Sequence, residues 1–209
     1  MNVNNRNVAG YLASLIFISG CATFQVGGEV QKGRYAIRRG QPEIAVGHFS
    51  RAAELNADYV LPFQLRESVH AYLGRAYYET KNFAEARRAL EIALKKNPQD
   101  STARLYLGLT SLREGNRDQG RRDTETGLRG IASAIETIAS GNIDSARYWD
   151  PGRRIRGEIQ NALALSSSGK LPDGELTSIA EWVGKNLDEE IEKAHADELR
   201  DFQRGSGDN

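Results

Sequence analysis

Cysteine is nearly absent: Cys21 is the single thiol in 209 residues, so no disulfide can close within the chain. Histidine is scarce too, and His48, His70 and His195 form no constellation with a nucleophile. No HExxH pattern and no glycine-rich phosphate loop occurs, so nothing points to catalysis and no cofactor is implied. Excess charge is also missing. Twenty-eight basic residues balance twenty-eight acidic ones, which gives no electrostatic reason to expect nucleic acid as a partner. Aromatic residues make up 8% and hydrophobic residues 39% of a chain with 21 glycines, which suits a thin helical array better than one large core.

The chain begins with a segment to be set apart from the fold. Arg6 is basic, no Asp or Glu occurs before Glu29, and Val8 to Ser19 form a largely apolar stretch of twelve residues. A membrane-spanning helix needs about 20 apolar residues, so this stretch is too short to span but long enough for a signal-peptide core. It ends Ile18-Ser19-Gly20-Cys21. That tetrapeptide resembles the lipobox of bacterial lipoproteins, in which cleavage precedes a cysteine that then carries acyl chains. The resemblance implies a signal peptide over 1–20 and lipidation of Cys21, leaving the mature chain without a thiol. Ala22, where the enterobacterial rule reads Asp as an inner-membrane signal, resembles the outer-membrane class. Residues 21–28 are then expected to be a lipidated tether, since Gly27-Gly28 makes a poor helix start.

Residues 67–100 organise the rest of the chain. They read His70-x2-Leu73-Gly74-x2-Tyr77, then Ala86-x3-Leu90-x2-Ala93 and Pro98. The spacing resembles the tetratricopeptide repeat, a pair of short helices with a period of about 34 residues. His70 stands where that family usually has Trp. Gly108 follows Gly74 by one full period of 34, whereas Gly33 precedes it by 41. The surplus falls in the apolar stretch Tyr59 to Leu65, broken by Pro62, which either lengthens a helix or forms a loop packed on the array. Three units are expected, at about 26–59, 67–100 and 101–134 of an array spanning 29–134, the outer two degenerate. In the third, Gly120, Thr124 and Gly127 occupy second-helix places where larger residues are expected, and would permit close approach of another helix.

Beyond the array, apolar residues recur at helical spacing. Leu128 to Ile138 extend one helix to about Ser140, and Trp149 anchors a turn. Helices are expected over 152–166 and 175–202, the latter with the stripe Leu176, Ile179, Val183, Leu187, Ile191 and Ala194. Residues 135–203 are therefore read as a helical cap on the open end of the array and 204–209 as a disordered tail. The fold class is all-α, a short repeat superhelix capped by C-terminal helices.

In tetratricopeptide repeats the first helix of each pair lines a concave face. Carried onto this chain, the inward places include Arg34 and Arg38, then Arg75, Tyr78 and Glu79, then Leu105, Leu109, Leu112 and Arg113. Arg34, Arg38, Arg75, Tyr78, Glu79 and Arg113 are the candidate partner-binding set, because Arg and Tyr are favoured interface anchors. Either this groove is open to a partner, or the C-terminal helices fill it and the leucines are core. Two basic clusters, Arg117/Arg121/Arg122 and Arg153/Arg154/Arg156, are either solvated faces or contacts for anionic headgroups or an acidic partner. Glu192-x-x-His195 has a di-iron spacing but lacks the second copy such a site needs, so no metal site is assigned.

Together these readings imply a non-enzymatic, lipid-anchored scaffold facing the periplasm from the bacterial outer membrane. Its partners would be periplasmic or envelope proteins. The alternative is a ligand-binding or enzymatic protein whose site lies between the array and the C-terminal helices.

Overall fold

A computed structural model describes residues 24–61, 65–141 and 148–206. Helix α1 covers 24–38, followed by α2 (Pro42–Leu55), α3 (Val69–Glu79), α4 (Phe83–Lys96), α5 (Ser101–Arg113), α6 (Arg117–Gly141), α7 (Arg154–Ser167) and α8 (Asp173–Ser206). Among the described residues there is no strand beyond one isolated antiparallel bridge, Val60 with Ser68. The architecture is all-α: three helix pairs in a tetratricopeptide-like array, then a C-terminal helical region.

The three pairs share one register. A Cβ added at Gly33, Gly74 or Gly108 would lie 2.6 Å from Phe49, 2.4 Å from Leu90 or 2.3 Å from the Thr124 backbone nitrogen. Each obstacle sits sixteen residues after its glycine, so the repeat glycine is the point where first and second helices cross. In the third pair Gly120 and Gly127 also meet α5 backbone closely, and the helix that approaches these small residues is α5 itself. The turn inside each pair is likewise repeated. Gln41, Asn82 and Asn116 N–H groups each donate 2.9 Å back to a carbonyl of the first helix. The preceding residue is left-handed in every case: Gly40 at φ +67°, Gly115 at +86°, and Lys81 at +63°. Glycine adopts this conformation freely, whereas a side chain there costs about 1–2 kcal/mol.

First helices are started by side chains. Ser68 accepts from Ala71 N–H at 3.2 Å and Asp100 from Ala103 N–H at 2.8 Å. The described part of the surplus between the first two pairs, residues 59–61 and 65, is not helical: Leu61 and Val69 N–H donate to Glu67 and Tyr59 carbonyls, and Leu61 is buried.

Two expectations about the ends are corrected. Residues 24–28 belong to α1, because Val26 and Val30 are both buried against α2 and its neighbours, and packing outweighs the low helix propensity of Gly27-Gly28. At the other end α8 continues through residue 206, past the expected end of ordered structure at 203.

The C-terminal helices do more than cap the last repeat. Leu176, Ala180, Val183, Leu187, Ile191 and Ala194 are buried in one core with Leu105, Leu109, Ile131 and Ile155. Full burial of a Leu, Val or Ile is worth about 1.5–3 kcal/mol, so α8 is bound to the array as core. Gly184 makes this approach possible, since a Cβ there would lie 2.3 Å from the Tyr106 hydroxyl. The turn before α7 is clamped as well. Trp149 is buried, and Asp150 accepts from Ile155 and Arg156 N–H, each at 3.0 Å.

Candidate functional site

α1, α3 and α5 present one face to α8, and all five arginine and tyrosine side chains read as partner-binding meet α8 there. Arg34 comes from α1; its guanidinium reaches Glu192 at 2.7 Å and Asp188 at 3.7 Å. From α3, Arg75 binds Asp188 at 2.7 Å and Glu79 at 2.9 Å. Asp188 therefore sits between two arginines, and all three side chains are almost fully buried. Arg34 lies over the Tyr72 ring and Arg75 over the Tyr106 ring. Burial works against both guanidinium charges. Tyr72, Asp188 and Glu192 outweigh it at Arg34, as do Asp188, Tyr106 and Glu79 at Arg75, so both pKa values lie above the ordinary arginine range.

Behind this pair lies Glu67, fully buried and receiving a hydrogen bond from the Tyr72 hydroxyl. Burial, reinforced by Asp188, raises its carboxyl from 4.5 to about 7 against the opposing hydrogen bonds of Tyr72 and Thr102.

Farther along, the Tyr78 hydroxyl donates to Glu181 at 2.5 Å, while Arg113 donates to that hydroxyl at 3.1 Å and to Glu181 at 2.8 Å. Burial, then the Glu181 bond, push the Tyr78 phenol up, so it remains a donor. Glu181, Asp188 and Glu192 thus form an acidic stripe on α8 at intervals of seven and four residues, facing the basic groove of the array.

The groove is consequently not an open channel. Arg34, Arg75, Leu105 and Leu109 are covered by α8. What remains is a cleft of about 740 Å³ at the C-terminal ends of α1, α3 and α5. Its floor is apolar and aromatic, from Ile37, Tyr78, Phe83 and Tyr106. Its rim carries Arg38, Glu79, Lys81 and Arg113 from the array and Glu181, Lys185 and Glu189 from α8. Five of the six candidate groove residues line this cleft, Arg75 from its buried end; Arg34 does not. Cys21 lies outside the described residues.

Most of both basic clusters holds the fold together, while Arg122 is exposed and donates to Gln119 one turn back on α6. Arg117 and Arg121 bind Asp173 at the start of α8, at 2.5 and 2.6 Å. Arg156 binds Asp150 and Glu136, and Arg154 lies 5.2 Å over the Trp182 ring. Glu190, two residues before Glu192, is buried and accepts from the Asp150 N–H at 2.7 Å. Glu192 is committed to Arg34 and Arg38. Sequence reasoning did not find the α8 side of the site. The signal available was the acidic spacing of Glu181, Asp188 and Glu192 beside the apolar stripe.

A family model described as the tetratricopeptide repeat matches residues 72–124, which spans α3 to the middle of α6. Comparison with curated proteins gives no match. The match supports a tetratricopeptide-repeat protein, and with it a role in protein–protein interaction. Scaffolds of this kind are generally non-enzymatic. No described helix is long and apolar enough to cross a membrane.

Proposed function

We propose that this chain is a non-enzymatic adaptor, lipid-anchored through Cys21, which holds an envelope protein at the periplasmic face of the bacterial outer membrane. The observation that carries the reading is the cleft beside α8, lined by five of the six groove residues of a repeat array. Among the described residues, no histidine, serine or cysteine lines it, and Glu79 and Glu181 are both held by arginines, which favours binding over catalysis.

Covalent geometry adds an orientation. Phe24, the first described residue of α1, follows Cys21 by three positions, so at about 3.5 Å per residue the lipid is attached within roughly 10 Å of α1. The cleft lies at the opposite end of α1, at Ile37 and Arg38, about 20 Å away at ~1.5 Å of rise per residue. A partner would then be met from the aqueous side.

The test has two parts. Cys21→Ser should move the protein from membrane to soluble fractions, and retention on membranes refutes the anchor. A photo-crosslinker at Glu189 on the cleft rim, in cells carrying the lipidated chain, should trap an envelope protein that the same group at exposed Ile92 does not. Equal trapping from both positions, or none, refutes the adaptor role. A second reading has the cleft hold a small ligand, favoured by its volume, which lies within the usual range of about 300–1,000 Å³ for such pockets.

A further inference from the structure

The cleft has an uneven charge inventory. Glu79 and Glu181 are paired with Arg75 and Arg113. Lys81 and Lys185 make no ion pair among the described residues, and the buried Nη1 of Arg38 makes no hydrogen bond, meeting Glu192 at 3.4 Å. Glu189 is the one rim carboxylate without a cationic partner among the described residues. Two lysines without an ion-pair partner among the described residues, beside an Arg38 held by Glu192 at 3.4 Å, therefore stand over a floor of three aromatic rings.

Lys81 is itself informative. It holds the left-handed turn position that Gly40 and Gly115 occupy in the other two pairs, and the turns are closed by the same hydrogen bond. Glycine would be the less strained choice here, so the turn itself does not call for a lysine. Lys81 lines the cleft. Strain tolerated at one residue of a repeated turn, beside a cavity, points to a role in binding.

We infer that the cleft binds a protein segment in which an acidic side chain lies beside an aromatic or large apolar one. The apolar group would enter between Tyr78, Phe83 and Tyr106, and the carboxylate would be met by Lys81, Lys185 and Arg38. This rests on the adaptor reading and specifies the chemistry of its partner. Opposing rim charge supplies the discrimination: Glu189 repels a segment rich in acidic residues throughout, so the match is to one or two carboxylates and not to a polyanion.

The test uses the full chain in detergent micelles and a labelled, end-blocked peptide, Gly-Asp-Phe-Glu-Gly, followed by fluorescence anisotropy. Replacing Asp and Glu by Asn and Gln, or Phe by Ala, should each weaken binding about fivefold or more. Lys185→Gln should do the same. Lys81→Gly gives the sharpest readout, because it should weaken the peptide while raising the melting temperature. A purely structural lysine would give the second effect without the first. The inference is overturned if the neutral peptide binds equally well, if Lys81→Gly leaves affinity unchanged, or if phenylacetate competes as effectively as the peptide. Loss of peptide binding with Glu189 crosslinking retained in cells would remove this inference and leave the adaptor standing. Peptide binding with no protein trapped in cells would do the reverse.

Discussion

At the scale of single residues, two buried acids control the groove. Asp188 links Arg34 to Arg75, and a buried ion pair is worth little net but is expensive to break from one side. Asp188→Ala should therefore destabilise the fold by about 3–5 kcal/mol, read by urea denaturation. A change under about 1 kcal/mol, the scale of a solvated pair, would mean that water reaches the two arginines. Glu67 acts in the opposite sense. Its carboxyl rises from 4.5 to about 7 on folding, so between these values the folded state holds a proton that the unfolded chain has released. Stability should fall as pH rises through that window and level off above it, by about 3 kcal/mol in all. Glu67→Gln removes the dependence. The variant and the parent should be similar near pH 4.5, with the variant more stable near pH 8, in paired denaturation curves.

At the scale of elements, some features are legible in sequence and others are not. The crossing points of the helix pairs follow from Gly33, Gly74 and Gly108, because close approach excludes a Cβ wherever the pattern recurs. The end of α6 and the limits of α7 fall within about two residues of those expected, since apolar spacing is a local signal. The start of α1 is not local. Gly27-Gly28 argues against a helix, and what overrides it is burial of Val26 and Val30 by residues far along the chain. The docking of α8 is equally remote: Arg75 and Asp188 are 113 positions apart. The acidic spacing of Glu181, Asp188 and Glu192 is visible in the sequence, but nothing local says which helices that stripe faces. Gly184 marks the contact in hindsight. By propensity Gly184→Ala should stabilise a helix by about 1 kcal/mol. Here it should destabilise by about 1–3 kcal/mol, because the new methyl meets the Tyr106 hydroxyl. A rise in melting temperature for this variant would place α8 away from α5.

At the scale of the whole molecule, the chain supplies its own helix to the groove of its own repeat array. The apolar stripe of α8 completes the core, and its acidic stripe neutralises the arginines that repeat periodicity turns inward. The part left for a partner is the cleft where the first helices end. This arrangement joins the array and the C-terminal region into one unit, since neither Leu105 and Leu109 nor the α8 stripe could face water without loss.

Native-state hydrogen exchange tests that claim most directly. If α8 is core, the amides of residues 180–194 exchange with the same free energy as those of α3 and α5, through global unfolding. If they exchange orders of magnitude faster while α3 and α5 stay protected, the groove opens in solution, and Arg34 and Arg75 are available to a partner after all.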